Sequence, residues 1–325
     1  MSWPVIAIVK KDGTVIDVTQ MCTTVSWAGN QDSIARTLDL GYVNAPYDPL
    51  IKNFPRPATG DYMLMYYPRG TEMFWGRVYS IEKTSEAGSV TVHCIDDAQY
   101  LIKSTANVVY KNKTAEWIAK KTCADAGVPA GSMAATGVNI ADLKLDSSSL
   151  ANIILKAYSM AYAQNGKKYM VTVQKRKVCV IEKGALIPDT LLSEDRTLTG
   201  SNYTESTEEI INRVVAYDSK GKVKKVVQDA ASRAKYGTFS ATYTEEEGVS
   251  VDAGAKALLH APEQSLSVSS IGDIRFVTGK AVLLEDSATG MKGKYWIKSD
   301  QHHWENGAYT MDLELDFKNI MSTGS

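Results

Sequence analysis

Short strand-forming segments separated by turn signals fill the first hundred residues, and this pattern restricts the fold strongly. Residues 5–9 and 15–18 flank Asp12-Gly13, a dipeptide that favours a two-residue hairpin turn. Further strand-like segments occur at residues 24–27, 33–42, 62–67, 73–79 and 89–95. Short strands at a spacing of roughly ten residues are typical of a β-barrel or a β-sandwich. We therefore predict a barrel-like β-domain over residues 1–103.

Helical periodicity replaces strand alternation in the middle of the chain. Thr114 is a candidate N-cap, and Gly127 is a stop signal after the apolar pattern that follows it. Residues 148–163 place their apolar side chains on one face of a helix. Two alternating segments then predict a hairpin over residues 169–181. Together these elements indicate a separate α+β domain over residues 104–192.

Strand signals dominate again in residues 193–325, which are predicted to form a second β-domain. A strand is predicted over residues 277–284 and a short helix over residues 253–259. Loop and helix patterns between residues 245 and 270 interrupt the strand signals. This second β-domain is therefore predicted to contain an insertion near that stretch.

The last hairpin is the clearest element, because Asn306-Gly307 separates two strongly alternating segments. Counting outward from this turn places Trp304 opposite Tyr309, with both side chains on the apolar face. The same register places Asp300 opposite Leu313, so that a carboxylate falls on the apolar face. This conflict predicts a β-bulge in the hairpin, or a different register.

The composition is that of an ordinary globular protein, with 44% hydrophobic and 22% charged residues. A formal net charge of −1 gives the molecule no overall basic field. Such a field is the usual electrostatic signature of proteins that bind nucleic acid or anionic membranes. Neither partner is therefore expected.

Local basic clusters occur at residues 175–177 and at Lys220, Lys222, Lys224 and Lys225. They fall at predicted hairpin tips or edge strands, where lysine also blocks edge-to-edge pairing of sheets. No aromatic residues alternate with them, as they do in many proteins that bind single-stranded nucleic acid. Direct nucleic-acid binding is therefore not expected.

The sequence contains neither a secretion signal nor an apolar run near the ~20 residues that span a bilayer. Its cysteines are widely spaced and form no metal-type or redox-type motif. We predict buried thiols in a reducing cytoplasm for all of them: Cys22, Cys94, Cys123 and Cys179. The protein is expected to fold in the cytoplasm and to leave it only by lysis or within a particle.

The candidate catalytic residues do not form a site. His302 and His303 are adjacent in a predicted strand, so their side chains point to opposite faces and cannot chelate one ion together. His93 and Cys94 are also adjacent in a predicted strand, so a Cys–His dyad would need partners from elsewhere in the chain. The remaining histidine is His260. Nucleotide-binding and hydrolase motifs are absent from the sequence. We predict no catalytic, cofactor-binding or metal-binding residue, no cofactor and no enzymatic activity.

An acidic row on the last strand consists of Asp312, Glu314 and Asp316, spaced so that all three project from one face. A flat strand is poor geometry for calcium, which takes six to eight oxygen ligands from a curled loop. We predict that the row faces solvent or a water-filled channel. Asp96-Asp97 and residues 245–247 are predicted to be solvated acidic turns.

The order and spacing of short motifs along nearly the whole chain resemble one family. The matching stretches are residues 25–30, 36–38, 73–78, 95–101, 114–118, 126–129, 166–169, 209–214, 236–237, 255–258, 272–273 and 303–313. The chain resembles the XkdQ/YqbQ-type baseplate hub proteins of contractile phage tails and phage-tail-like bacteriocins, which are relatives of the late control protein D group. The motifs are individually unspecific, and the resemblance rests on their combined order.

The resemblance implies a mainly β fold, with two β-barrel domains of the tail-tube type joined by α+β domains. It implies a homotrimer whose barrels form a pseudo-hexameric ring between the six-fold tail tube and the three-fold central spike. The implied partners are the tube, the spike and other baseplate proteins, in a virion, a prophage-encoded tail or another contractile injection system. Because the chain ends soon after its last predicted strand, the peptidoglycan-cleaving extension of some hubs is not expected.

Two other functions remain open from the sequence. A carbohydrate-binding or cell-wall-binding module could stack sugars on exposed tryptophans, and the candidates are Trp27, Trp75 and Trp304. A cell-wall hydrolase would need a paired-carboxylate or Cys–His site, which the sequence does not reveal.

Overall fold

The computed structural model describes residues 3–45, 47–68, 70–83, 88–245 and 250–323. The chain is mainly β, with 51% of residues in strands and 16% in helices, which confirms the predicted fold class. Two residues of the predicted acidic turn at 245–247, at positions 246 and 247, lie outside the described residues.

Within the described residues the chain forms 21 strands. The first eleven are β1 (Val5–Val9), β2 (Val15–Asp17), β3 (Cys22–Asn30), β4 (Ser33–Val43), β5 (Tyr62–Tyr66), β6 (Glu72–Lys83), β7 (Ser89–Asp96), β8 (Thr105–Thr114), β9 (Ala130–Met133), β10 (Asn139–Ser149) and β11 (Tyr169–Gln174). The other ten are β12 (Lys177–Glu182), β13 (Leu192–Ser193), β14 (Leu198–Ser206), β15 (Arg213–Tyr217), β16 (Val223–Gln228), β17 (Ser240–Thr244), β18 (Glu263–Ile271), β19 (Ala281–Asp286), β20 (Met291–Glu305) and β21 (Ala308–Asp316).

The helices of the described residues are short, apart from two in the middle of the chain. They are α1 (Gln99–Lys103), α2 (Ala115–Asp125), α3 (Leu150–Asn165), α4 (Ala230–Tyr236) and α5 (Val251–Ala257), with one 3-10 turn at Thr19–Met21.

Thirteen strands join in one sheet, whose main path is β14-β18-β21-β20-β3-β4-β7-β6-β5-β1-β2. β19 pairs with β20 and β13, beside this path. The hairpin predicted around Asp12-Gly13 is present as β1 and β2, which pair antiparallel. Through the described residues the strand pairing follows an open path, so the two closed barrels that the resemblance implies are not seen.

The last hairpin extends the sheet of the N-terminal third. β20 pairs with β21 on one side and with β3 on the other, so that Trp304 lies opposite Val25 and His302 opposite Trp27. The chain divides into two compact units, one of Met1–Ser201 with Ser267–Ser325 and one of Asn202–Leu266. The predicted domain boundaries after residues 103 and 192 stay a prediction.

The last hairpin contains the predicted bulge. Trp304 pairs with Tyr309, and Asp300 pairs with Leu313, as counted from the turn. The register shifts between Ile297 and Ser299, so that Lys298 pairs with no residue of β21. Because the shift occurs beyond Asp300, this carboxylate stays on the buried face.

The described residues of the larger unit include these two apolar clusters. The first fills the inner face of the large sheet, with Ile8, Leu38, Met63 and Trp304 at 1% exposure or less. The second packs α2 and α3 against the strands β8 to β12. In α3 the predicted apolar face is buried: Leu150, Ile153, Ile154, Ala157, Tyr158 and Ala161.

Side-chain caps begin the two long helices. The Thr114 hydroxyl accepts from the backbone N–H of Trp117, as the sequence predicts. The Ser149 hydroxyl caps α3 in the same way, so α3 begins two residues later than the predicted segment. Gly166 ends α3 with φ of 70°, a left-handed conformation that costs glycine least.

The smaller unit holds a three-stranded sheet of order β16-β15-β17. α5 packs Ala255 against Val214, Ala216 and Val227 of this sheet. It confirms the predicted short helix, although it begins and ends two residues earlier than the predicted range 253–259.

The strand predicted over residues 277–284 begins late. β19 starts at Ala281, because a turn closed by the Lys280 N–H and the Val277 carbonyl precedes it.

Candidate functional site

One face of the large sheet is polar across six adjacent strands, β18, β21, β20, β3, β4 and β7. The opposite face of these strands is buried, and each strand alternates between the two. We call this surface the polar face, and its residues are Ser267, Ser269, Thr310, Asp312, Glu314, Gln301, His303, Glu305, Thr24, Ser26, Thr37, Asp39, Thr91 and His93. Three larger apolar residues share this side of their strands and lie at its margins: Val43, Ile95 and Ile271.

Strand pairing aligns the polar face into rows that cross the strands. One row runs from Thr310 through His303, Ser26 and Asp39 to His93. At its end, His93 Nδ1 lies 2.5 Å from Asp39 Oδ1. The row therefore contains two hydroxyl groups, one imidazole between them, and a histidine–carboxylate pair at its end.

A second row contains Asp312, Gln301 and Thr37. The Ser269 hydroxyl donates to Asp312 Oδ1 at 2.5 Å, and His303 Nε2 lies 3.4 Å from Asp312 Oδ2. These contacts join Asp312 to neighbours on both sides, Ser269 of β18 and His303 of β20.

The acidic row does not lie in one environment. Asp312 and Glu314 are exposed, as predicted, whereas Asp316 is half-buried. Burial raises the pKa of Asp316, although the nearby Lys183 charge opposes this rise. Within the described ranges, no group of three or more His, Cys, Asp and Glu side chains is placed to hold a metal ion.

A buried ion pair lies behind the polar face. Asp300 is only 1% exposed, and both of its oxygens contact the Arg36 guanidinium, Oδ1 at 3.1 Å from Nη1. The backbone N–H and the hydroxyl of Thr278 each donate to Asp300 Oδ1 at 2.6 Å. Burial alone would raise the pKa of Asp300, but the Arg36 charge and the hydrogen bonds hold it well below its usual range.

Aromatic side chains complete the surroundings of this ion pair. The Arg36 guanidinium lies 3.7 Å from the ring centre of Trp27, a cation–π contact. His302 Nε2 lies 3.3 Å from Asp300 Oδ2, and His302 Nδ1 is 2.8 Å from the Tyr309 hydroxyl. The pair therefore joins β4 to β20 through contacts that exclude water.

Gly29 leaves the space that the guanidinium occupies. A Cβ atom at position 29 would lie 2.2 Å from Arg36 Nη1 and 3.2 Å from Asp300 Oδ1. The glycine in this strand is thus explained by the close approach of the ion pair.

Asp96 is a second buried carboxyl, at the end of β7. Its oxygens accept the backbone N–H groups of Arg36 and Ala98, both at 3.0 Å. Burial raises the pKa of Asp96 to about 7, against these two donors and the Arg36 charge. The sequence predicted that Asp96-Asp97 forms a solvated turn. For Asp96 this prediction is wrong, because the end of β7 is covered and the residue is only 3% exposed.

The raised pKa of Asp96 predicts a specific pH dependence of stability. A carboxyl that is more easily protonated in the folded state stabilises it fully below the unfolded pKa near 3.8. This contribution is lost as the pH rises through about 7. Between pH 4 and 7, wild type should therefore lose stability relative to Asp96→Asn, measured by urea denaturation at each pH. Parallel stability curves for the two proteins would contradict the assignment.

The other residues considered from the sequence are not brought together. His302 is buried and His303 half-buried, so the two rings point to opposite faces, as predicted. His260 lies 3.7 Å from Glu263 at the surface. The predicted burial of the cysteines is confirmed for all four, and each thiol is free: Cys22, Cys94, Cys123 and Cys179.

Two of the lysines in the basic clusters are paired with acidic residues. Lys224 Nζ lies 2.6 Å from Glu245 Oε1, and Lys225 contacts Asp252. These two pairs neutralise part of the basic cluster, while Lys220 and Lys222 are exposed in and beside the turn between β15 and β16.

The tryptophans proposed for sugar stacking offer no open ring face. Trp27 is 3% exposed and Trp304 1% exposed. The Trp75 ring has the Arg176 guanidinium 3.8 Å from its centre and the Tyr62 ring stacked at 4.5 Å. A sugar would have to displace one of these neighbours to stack on Trp75.

Sequence reasoning missed the Arg36–Asp300 pair. The two residues lie 264 positions apart, and Arg36 carries no signal of burial. The one signal in the sequence was Asp300 opposite Leu313, which could have been interpreted as a buried charge that needs a cationic partner.

None of the described helices has both the length and the apolar character needed to cross a membrane.

Comparison with known proteins gives consistent similarities. The YQBQ-like family model matches residues 25–316. The phage-like element PBSX protein XkdQ of Bacillus subtilis is 24% identical over 311 residues, 93% of this chain and 94% of the relative. The crystal structure of the prophage MuSo2 43 kDa tail protein from Shewanella oneidensis aligns with a TM-score of 0.71 at 14% identity, covering 96% of each chain. The c3393 protein of E. coli, a type VI secretion system component, gives 0.54 at 8% identity, covering 94% of this chain and 76% of its own.

Proposed function

Because this chain belongs to the YQBQ-like family, we propose that it is the structural baseplate hub of a contractile tail. Its fold matches that of phage tail proteins. In this role three copies form a pseudo-hexameric ring that joins the six-fold tail tube to the three-fold central spike. The proposed partners are further copies of the chain, the tube, the spike and other baseplate proteins. The observation that carries the proposal is the family match over residues 25–316.

The polar face supports a channel-lining role within such a ring. The centres of stable protein interfaces are rich in aromatic and apolar side chains and poor in charge. The polar face has the opposite character, since hydroxyl, carboxylate and imidazole groups cover six adjacent strands. We infer that this face lines a water-filled lumen, with Asp312 and Glu314 projecting into it.

The hub works by contact, and we propose that it has no enzymatic activity. The oxygens of its most deeply buried carboxylate, Asp300, are already occupied by Arg36 and by the donors of Thr278. The sugar-binding alternative loses support because the rings of Trp27, Trp75 and Trp304 are covered. We propose that the protein assembles in the bacterial cytoplasm and then resides in the tail baseplate of a phage, a prophage element or a bacteriocin particle.

Light scattering of the purified chain, alone and mixed with its spike and tube proteins, tests this proposal. We expect three copies of the chain to associate with one three-fold spike, as a complex that survives gel filtration. Obligate interfaces of such rings bury on the order of 2,000 Å² or more, so the complex should persist at micromolar concentration. A chain that stays monomeric and ignores both spike and tube would contradict the hub role.

A further inference from the structure

Residues 317–322 follow the last strand of the sheet without regular secondary structure, and we call them the C-terminal strap. The strap crosses from the end of β21 to the sheet β11-β12-β9 and to the turn between β3 and β4. Met321 anchors it, because this side chain is 7% exposed within the core around α2 and α3. Its Sδ accepts the backbone N–H of Tyr169 at 3.4 Å.

Lys183, which directly follows β12, is the charged residue at the centre of the strap's contacts. Lys183 is 6% exposed, although lysine is almost never buried without partners. Its Nζ donates to Gln31 Oε1 at 2.6 Å and to the Ile320 carbonyl at 2.5 Å. Gln31 lies in the β3–β4 turn, so one ammonium group joins the strap to both sheets.

The charged surroundings of Lys183 are mixed. Burial lowers the pKa of Lys183, whereas the carboxylates of Asp316 and Asp32 raise it and the Lys168 charge lowers it. The two carboxylates thus oppose the cost of burying the ammonium, and the two oxygen acceptors satisfy its hydrogen-bond donors.

Further hydrogen bonds join the strap to Lys183, Lys168 and Gln31. Asn319 Nδ2 donates to the Lys183 carbonyl at 3.1 Å, and Lys168 Nζ donates to the Asn319 carbonyl. The Ser322 hydroxyl donates to the Gln31 carbonyl at 2.9 Å. Gly184 permits this packing, since a Cβ there would lie 2.5 Å from Asn319 Nδ2.

We propose that the C-terminal strap is a releasable clasp, pinned by Lys183, that fastens the sheet β11-β12-β9 to the β3–β4 turn of the large sheet. Only Met321 of the strap is buried, and Ile320 is 50% exposed. Apart from Met321 and the edge contact of Phe317 with Tyr295, the strap is held by hydrogen bonds to Lys183, Lys168 and Gln31. Its opening therefore withdraws one buried side chain, Met321, from the core around α2 and α3. Segments with few buried apolar contacts open locally at low free energy. This device is independent of the proposed role in a tail.

Limited trypsin digestion of the full chain tests the clasp, with the initial rate of cleavage after the exposed Lys318 measured by mass spectrometry. Lys183→Met keeps an apolar stem but removes the ammonium, and we expect cleavage at least ~10-fold faster than in wild type. Asn319→Ala changes only the strap and should accelerate cleavage in the same direction, by about three-fold or more. Cleavage after Lys220, in an exposed turn of the smaller unit, serves as the internal reference.

The matched control is Lys167→Met. Lys167 lies two residues before β11, is 54% exposed at its side chain, and has Glu182 of β12 as its ion-pair partner at 3.1 Å. Its variant should cleave after Lys318 at the wild-type rate. Wild-type rates in both Lys183→Met and Asn319→Ala would overturn the clasp. Acceleration that is equal at Lys318 and Lys220 would also overturn it, because it would indicate general unfolding.

Discussion

Replacing Asp300 with alanine is expected to lower the free energy of unfolding by about 3–5 kcal/mol, the cost of breaking a buried ion pair from one side. The substitution removes the ion-pair partner of the Arg36 guanidinium, which is 12% exposed at its side chain. It also removes the acceptor of both Thr278 donors. Urea denaturation followed by tryptophan fluorescence measures the loss as a shift of the midpoint.

Two comparisons separate the ion pair from other effects of the substitution. Asp312→Ala removes an exposed carboxylate in the neighbouring row, on the polar face, and should change stability by less than about 0.5 kcal/mol. The double variant Arg36→Met with Asp300→Leu should recover much of the loss, because apolar replacements often match a buried ion pair. A cost below about 1 kcal/mol for Asp300→Ala would show that water reaches the pair.

Trp304→Ala is expected to cost about 3–5 kcal/mol, the range for removing a large buried aromatic side chain. The Trp304 ring is 1% exposed and stacks on Tyr309 with ring centres 4.3 Å apart. Tyr67 packs edge-on against the same ring at 5.2 Å. The truncation removes these contacts and leaves a cavity where β20, β21 and β3 meet. Thermal and urea unfolding should report the same loss.

Two further tryptophan variants act as controls. The Trp304 indole N–H finds no acceptor among the described residues, so Trp304→Phe should cost far less than the alanine change. Trp117→Ala, at a side chain 40% exposed on α2, should cost about 1 kcal/mol or less. If Trp304→Ala and Trp117→Ala cost the same, Trp304 does not lie in the core described here.

Local structure could be predicted from the sequence to a large extent. Asn306-Gly307 and the alternation beside it gave the register of the last hairpin as far as Asp300, and the conflict at Asp300 indicated the bulge. Beyond the bulge the counted register is wrong, since Trp296 pairs with Asp316 and not with Phe317. Thr114 and the spacing of apolar residues gave α2 and α3 to within two residues. These features depend on interactions between neighbours in the chain, which turn residues, caps and periodicity encode directly.

Other elements gave weaker signals. The ribbon of β8 and β10 was not predicted, because most of its side chains are exposed and it lacks clear alternation. Asp96 was expected in a solvated turn, since an acidic pair looks the same in sequence whether or not another strand covers it. Its burial depends on Arg36, whose backbone N–H it accepts from another strand.

The sequence by itself determined the mainly β class, the polar and apolar faces of the last strands, and the resemblance to baseplate hubs. Only the tertiary structure decided that β20 pairs with β3, that Asp300 meets Arg36, and that Lys183 holds the strap. The physical reason is that the alternation of apolar residues indicates which face of a strand is buried. It does not indicate which distant strand will pair with it. That choice depends on the packing of side chains from remote parts of the chain, here 264 residues apart for Arg36 and Asp300.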